Sequence, residues 1–190
     1  MTKYIFDFDD VLFFNTAQFK PHMYKCFEES GLPYDVVKKY YDRERAKGFV
    51  LENLVKAVLH GEHVESITAL ALTEKILGAC KLFLNHELIK RIKKLGPDKC
   101  YLVTHGVKAY QVEKIKRTGI GPLFAQISIV QDTKKWSVEH LCEQFTDDHI
   151  IFVDDKEKRF ADLDFKEYPN LTTILYLGPE TIPEIFEQGT

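Results

Sequence analysis

Asp7 and Asp9 stand two residues apart, directly after the apolar run Tyr4-Ile5-Phe6. On an extended backbone alternate residues share a face, so the two carboxylates point the same way, about 6–7 Å apart. Two acids at the end of a buried strand repel each other where water is scarce. A bound cation offsets that cost, and a solvated acidic turn reduces it; this stretch alone leaves both readings open. Further along, Thr104, His105 and Gly106 follow the run Tyr101-Leu102-Val103. Thr133, Lys134 and Lys135 follow the run 126–130, and Asp154 and Asp155 follow Ile150-Ile151-Phe152-Val153. Together these supply a carboxylate nucleophile, a hydroxyl and a lysine for phosphate oxygens, and acids able to hold Mg²⁺. That is the set metal-assisted phosphoryl transfer requires.

The elements that must position these groups can be read from periodicity. Residues 15 to about 82 read as wholly helical, with helices over about 17–30, 34–47, 51–59 and 64–77, punctuated by Gly31-Leu32-Pro33, Gly48, Gly61 and Gly78. Asn15 or Thr16 is placed to cap the first of them. From residue 83 helices alternate with strands: helices over 87–94, 107–117, 137–145 and 181–188, strands over 100–104, 126–130, 150–153 and 173–177. Alternation of this kind implies an α/β fold, a Rossmann-like parallel sheet of about five strands with helices on both faces. Ligands of such sheets bind beyond the carboxyl ends of the strands, where the candidate residues fall. The connection from the first strand to the second is far longer than one crossover needs. The organisation expected is therefore a core of 1–14 and 84–190, with residues 15–83 inserted as a small helical lobe.

Composition narrows the partners. Of 190 residues 45% are hydrophobic and 29% charged, ordinary values for a soluble protein with one sizeable core. A net charge of −3 argues against a nucleic-acid footprint, which needs a basic surplus. No apolar run approaches the ~20 residues of a membrane span. The start Met-Thr-Lys-Tyr runs straight into the first strand, so no signal peptide is expected. Cys26, Cys80, Cys100 and Cys142 form no C-x-x-C pair and read as reduced core residues of a cytoplasmic protein. His60 and His63 lack further ligands at zinc spacing and read as a surface turn. Trp136 opens an apolar helix face and is expected to pack in the core. The run Asp42–Lys47 mixes signs and reads as a solvated helix face.

In this order the strand ends resemble the four motifs of the haloacid-dehalogenase-like (HAD) hydrolase superfamily. Asp7-Phe8-Asp9-Asp10-Val11-Leu12 matches the first, Leu102-Val103-Thr104 the second, Lys135 the third, and Phe152-Val153-Asp154-Asp155 the fourth. The insertion resembles the family's C1 cap. The resemblance implies that Asp7 attacks phosphorus and forms an aspartyl phosphate. Asp9 would protonate the leaving oxygen and then activate water. Mg²⁺ would be held by Asp7, the main-chain carbonyl of Asp9 and Asp155, with Asp154 in support. Thr104 and the amides of His105 and Gly106 would bind phosphate oxygens, and Lys135 would neutralise the charge shared with Asp7. Asn15, in the flap that follows the nucleophile loop, is placed to touch the leaving group.

Three positions depart from the family pattern. Asp10 stands where Gly is frequent, Trp136 where Pro is common, and Arg159 where many members carry a further acid or Asn. The reading that results is a Mg²⁺-dependent phosphatase for a small phosphorylated substrate, monomeric or homodimeric. Its rivals are a phosphomutase or phosphonatase on the same residues, and a silent HAD-like binding or regulatory protein.

Overall fold

The computed structural model describes residues 1–187. Gln188, the last residue of the expected closing helix, lies outside them. Five strands form one sheet, β1 (Thr2–Phe6), β2 (Cys100–His105), β3 (Gln126–Val130), β4 (His149–Asp154) and β5 (Leu171–Leu175), all parallel and in the order β3-β2-β1-β4-β5. The chain first builds outward from β1 through β2 to β3, then crosses back to place β4 on the other side of β1. The carboxyl ends of β1 and β4 are thereby adjacent. The Asp7 N–H continues their ladder by donating to the carbonyl of Val153 at 2.9 Å.

The chain divides into two compact units. The first holds 1–14, 84–105 and 120–190; the second holds 15–83 together with 106–119. In the first unit the central strands β1, β2 and β4 are buried on both faces, while the edge strand β3 is partly exposed. Ile5, Val103, Ile150 and Phe152 form one core with Val138, Leu141 and Cys142 of α7 (Lys135–Gln144). On the opposite face Tyr4 packs against Phe186 of α8 (Ile182–Glu187), ring centroids 5.6 Å apart. The helix α5 (His86–Leu95) is held at its start by Asn85, whose side chain accepts from the Leu88 N–H.

The second unit is built from α1 (Lys20–Glu28), α2 (Tyr34–Ala46), α3 (Leu51–Gly61) and α4 (Ala69–Leu77), joined by α6 (Lys108–Thr118). The sequence expectation left α6 with the core. Side chains explain its grouping: Arg117 forms a two-pronged pair with Glu74 at 2.6 and 2.7 Å, and Phe49 meets Tyr110 edge-on at 5.5 Å. Residues 15–19 form a π-helical turn into α1, so the N-cap position of α1 is Phe19 and not Asn15 or Thr16. The fourth helix starts at Ala69 rather than 64, because the Thr68 hydroxyl accepts from the Ala71 N–H and sets the first turn there. The last strand starts at Leu171 rather than 173, in register with Ile150 of β4.

All four cysteines are buried and free. No helix among the described residues is long and apolar enough to cross a membrane.

Candidate active site

Asp7 is the first residue beyond β1, and 5% of its surface is exposed. Its Oδ1 accepts from the Phe8 N–H at 2.7 Å and from Lys134 Nζ at 2.8 Å. The same ammonium reaches Asp154 Oδ2 at 2.5 Å. Lys134 is 1% exposed and Asp154 fully buried, so one buried cation clamps acids from two adjacent strands. The second oxygen of Asp154 accepts from the Lys156 N–H at 2.9 Å. The half-buried Asp155 is gripped at both oxygens by Lys156 Nζ, at 2.9 and 2.8 Å. One carboxylate oxygen from each of Asp7, Asp154 and Asp155 lies within 4.8 Å of the others.

The electrostatics follow from burial. Desolvation pushes the Asp7 carboxyl up to about 6; Lys134 pulls it down, while Asp154 and Asp9 push it further up. Asp155 is also raised, by desolvation first, against the pull of Lys156. Three carboxylates face two ammonium groups, which leaves a net negative site lined by oxygen. Hard oxygen donors at this spacing suit Mg²⁺ or a similar hard divalent cation.

Asp9 is half-buried on the tight turn after Asp7, and its carboxylate lies outside the trio. That turn closes on itself: the N–H groups of Leu12 and Phe13 donate to the carbonyl of Phe8, and that of Asp10 to the carbonyl of Phe13. Asp10 adopts φ 65°, in the left-handed region that Gly enters without steric cost. Asp tolerates the left-handed region better than most residues, so this departure alters the backbone preference and no reacting group. Asn85 secures the exit of the turn. Its side-chain amide donates to the carbonyl of Val11 at 3.0 Å and to the Tyr176 hydroxyl at 2.7 Å, and its N–H donates to the carbonyl of Leu12.

Thr104 lies at the end of β2, fully buried, and its hydroxyl oxygen has no hydrogen-bond partner among the described residues. A buried hydroxyl without a partner is costly, and a ligand oxygen would satisfy it. His105 follows, mostly exposed, its pKa lowered by partial burial and by the charge of Arg159. Gly106 has φ 150°, and a Cβ there would meet the Gln111 side chain at 2.9 Å. Gly106 and Asn15 both group with the second unit.

Two expectations are corrected. Lys135 is not the lysine brought to Asp7. Its ammonium lies on the outer face of α7, paired with Glu139 at 3.1 Å and donating to the carbonyl of Asp162 at 2.6 Å. Lys134 occupies the inner position. The helical period carries the signal: Lys134 lies four residues before Val138 on the apolar face, whereas Lys135 lies four before the polar Glu139. The same geometry turns Trp136 outward. It is 73% exposed and stacks on His140, one turn further along, with centroids 5.3 Å apart. Lys156 was missed altogether, since nothing in the spacing distinguishes it from the other lysines of a polar loop.

No family model matches the chain. No curated protein matches it either. Solved structures do match. A protein of Burkholderia xenovorans LB400 described as a haloacid dehalogenase-like hydrolase superposes with a TM-score of 0.65 at 17% identity, covering 96% of this chain and 90% of that one. A HAD-superfamily hydrolase, subfamily IA, variant 1, from Geobacter sulfurreducens PCA gives 0.60 at 12%, covering 100% and 97%. The HAD-hydrolase YfnB from Bacillus subtilis, crystallised with magnesium, gives 0.51 at 18%, covering 98% and 97%. The fold of this chain is that of the HAD-like hydrolases.

Proposed function

We propose that the protein is a Mg²⁺-dependent phosphatase acting on a small phosphomonoester through an aspartyl-phosphate intermediate. The observation that carries this reading is the Lys134 clamp. It holds Asp7 in one orientation and leaves oxygens of Asp7, Asp154 and Asp155 converging within 4.8 Å. A nucleophile of this kind must be fixed, desolvated and partly neutralised before an anionic substrate can approach.

In this mechanism an Asp7 oxygen attacks phosphorus, the phosphorus–oxygen bond of the ester breaks, and Asp9 donates its proton to the leaving oxygen. Asp9 then takes a proton from water, which attacks the phosphorus of the acyl phosphate and regenerates Asp7 with release of inorganic phosphate. The buried Thr104 hydroxyl donates to a phosphate oxygen. Lys134 stays on Asp7 and offsets the charge that accumulates there. Asp7, Asp154 and Asp155 are the residues that would hold Mg²⁺, which would neutralise phosphoryl charge. The acid at Asp9 favours phosphoryl transfer over dehalogenation, which has no leaving oxygen to protonate.

The test is hydrolysis of an activated aryl phosphate, with and without Mg²⁺, by the protein and its Asp9→Asn variant. The reading expects metal-dependent turnover by the protein and a phosphoryl adduct on Asp7 in the variant, seen by mass spectrometry. Turnover undiminished by excess chelator, or turnover retained by Asp7→Asn, would overturn it.

A further inference from the structure

The two lysines at the acidic trio differ in kind. Lys134 is buried and bridges two acids, Asp7 and Asp154. Lys156 is neighbour in sequence to Asp155 and grips that acid alone, at both oxygens, while 43% of its own side chain faces solvent. Its backbone is tied to the site through the Asp154 carboxylate, so the side chain can swing while the loop stays fixed. Asp155 supplies one of the three oxygens that could hold a divalent ion, and both its oxygens are engaged by Lys156.

We infer that Lys156 is a tethered counter-cation that competes with the divalent metal for Asp155 and sets the metal affinity of the site. The inference rests on the proposed metal site and goes beyond it, by assigning a residue that holds the metal-free site together and must withdraw before the ion is fully ligated. A competitor that engages its acid about nine-tenths of the time weakens the apparent affinity of the other ligand about tenfold. The tether also limits the cost of metal loss. Without an ion, two of the three acids remain clamped by Lys134 and the third by Lys156.

Isothermal titration of Mg²⁺ into the metal-free protein tests this, using Lys156→Met and the control Lys158→Met. Lys158 is exposed on the same loop, and its removal changes net charge equally. Lys156→Met is expected to bind Mg²⁺ about tenfold more tightly than the unaltered protein, with Lys158→Met within about twofold of it. If both variants shift equally, the effect is net charge alone and the competition is refuted, while the metal site stands. Weaker binding by Lys156→Met also refutes it. If none of the three proteins binds Mg²⁺, the metal site itself is refuted and the inference with it. Lys156→Arg, which keeps the cation, should restore the affinity of the unaltered protein; failure to do so counts against the competition.

Discussion

Replacing Lys134 by Met keeps an unbranched side chain of similar length and removes the charge together with the N–H donors to Asp7 and Asp154. Lys134 lies 2.8 Å from Asp7 and 2.5 Å from Asp154, and all three groups are buried. Removing one partner of a buried ion pair leaves uncompensated charge and costs about 3–5 kcal/mol. At about 2–4 °C per kcal/mol for a chain of this size, the melting temperature should fall by roughly 6–20 °C. Lys135→Met removes a partly exposed ammonium from Glu139 and from the Asp162 carbonyl and should cost less, about 1–2 kcal/mol. The two variants differ by one position and test the register of the site directly. The pH dependence has a definite sign. The Asp7 carboxyl is raised from 3.8 to about 6 in the folded protein, by burial above all. A group with a raised folded pKa favours the native state most below its unfolded pKa, and that contribution is lost as pH rises through the folded value. Without Lys134 the folded value rises further, because the lysine holds it down. The stability deficit of Lys134→Met should therefore be largest near pH 8 and shrink towards pH 5, as the acid takes up a proton. Thermal melts of metal-free protein across that range measure it. A deficit equal to that of Lys135→Met, or one that grows on acidification, would refute the buried clamp. Turnover should follow the same order, with Lys134→Met the inactive variant.

Asp7→Asn should abolish turnover, yet stabilise the metal-free protein at pH 8. A rise from 3.8 to about 6 corresponds to about 3 kcal/mol as an upper bound, and the gain should vanish near pH 4. Asp9→Asn should slow turnover by about 10²–10⁴-fold, with the smaller loss for substrates bearing good leaving groups, as measured by steady-state rates on a leaving-group series. Mg²⁺ should raise the melting temperature of the unaltered protein, and Asp155→Asn should greatly reduce that rise; an equal rise in the variant would remove Asp155 from the metal site. Asn85→Leu should cost about 2–4 kcal/mol in denaturant titrations, since it strips the Leu88 N–H of its cap and leaves the carbonyl of Val11 and the Tyr176 hydroxyl without their donor.

Much of the architecture was legible because local periodicity and the strand-end rule act over short stretches of chain. Tyr4-Ile5-Phe6 and Ile150–Val153 are apolar throughout because both faces of a parallel strand are covered, and the residues after them must then lie at the sheet's carboxyl edge. Asp7, Thr104, Asp154 and Asp155 could be named on those grounds before any coordinates. What the chain does not state locally is the order of the strands. Placing β4 beside β1 brings Asp154 within reach of the cation that holds Asp7, and that adjacency arises from a crossover between residues 147 apart in sequence. The choice between Lys134 and Lys135 was decided by which face of α7 meets the sheet. Spacing to a motif cannot resolve that, because one residue turns a helix by about 100°. The same rotation put Trp136 in solvent. Lys156 became visible only in three dimensions, because an ion pair between sequence neighbours depends on side-chain direction at a bend, and burial of Asp155 makes that direction consequential. Sequence by itself determined which residues could do the chemistry. The tertiary structure decided which of them share one desolvated volume, since charges interact through space and the chain's own order carries no record of the distances that folding creates.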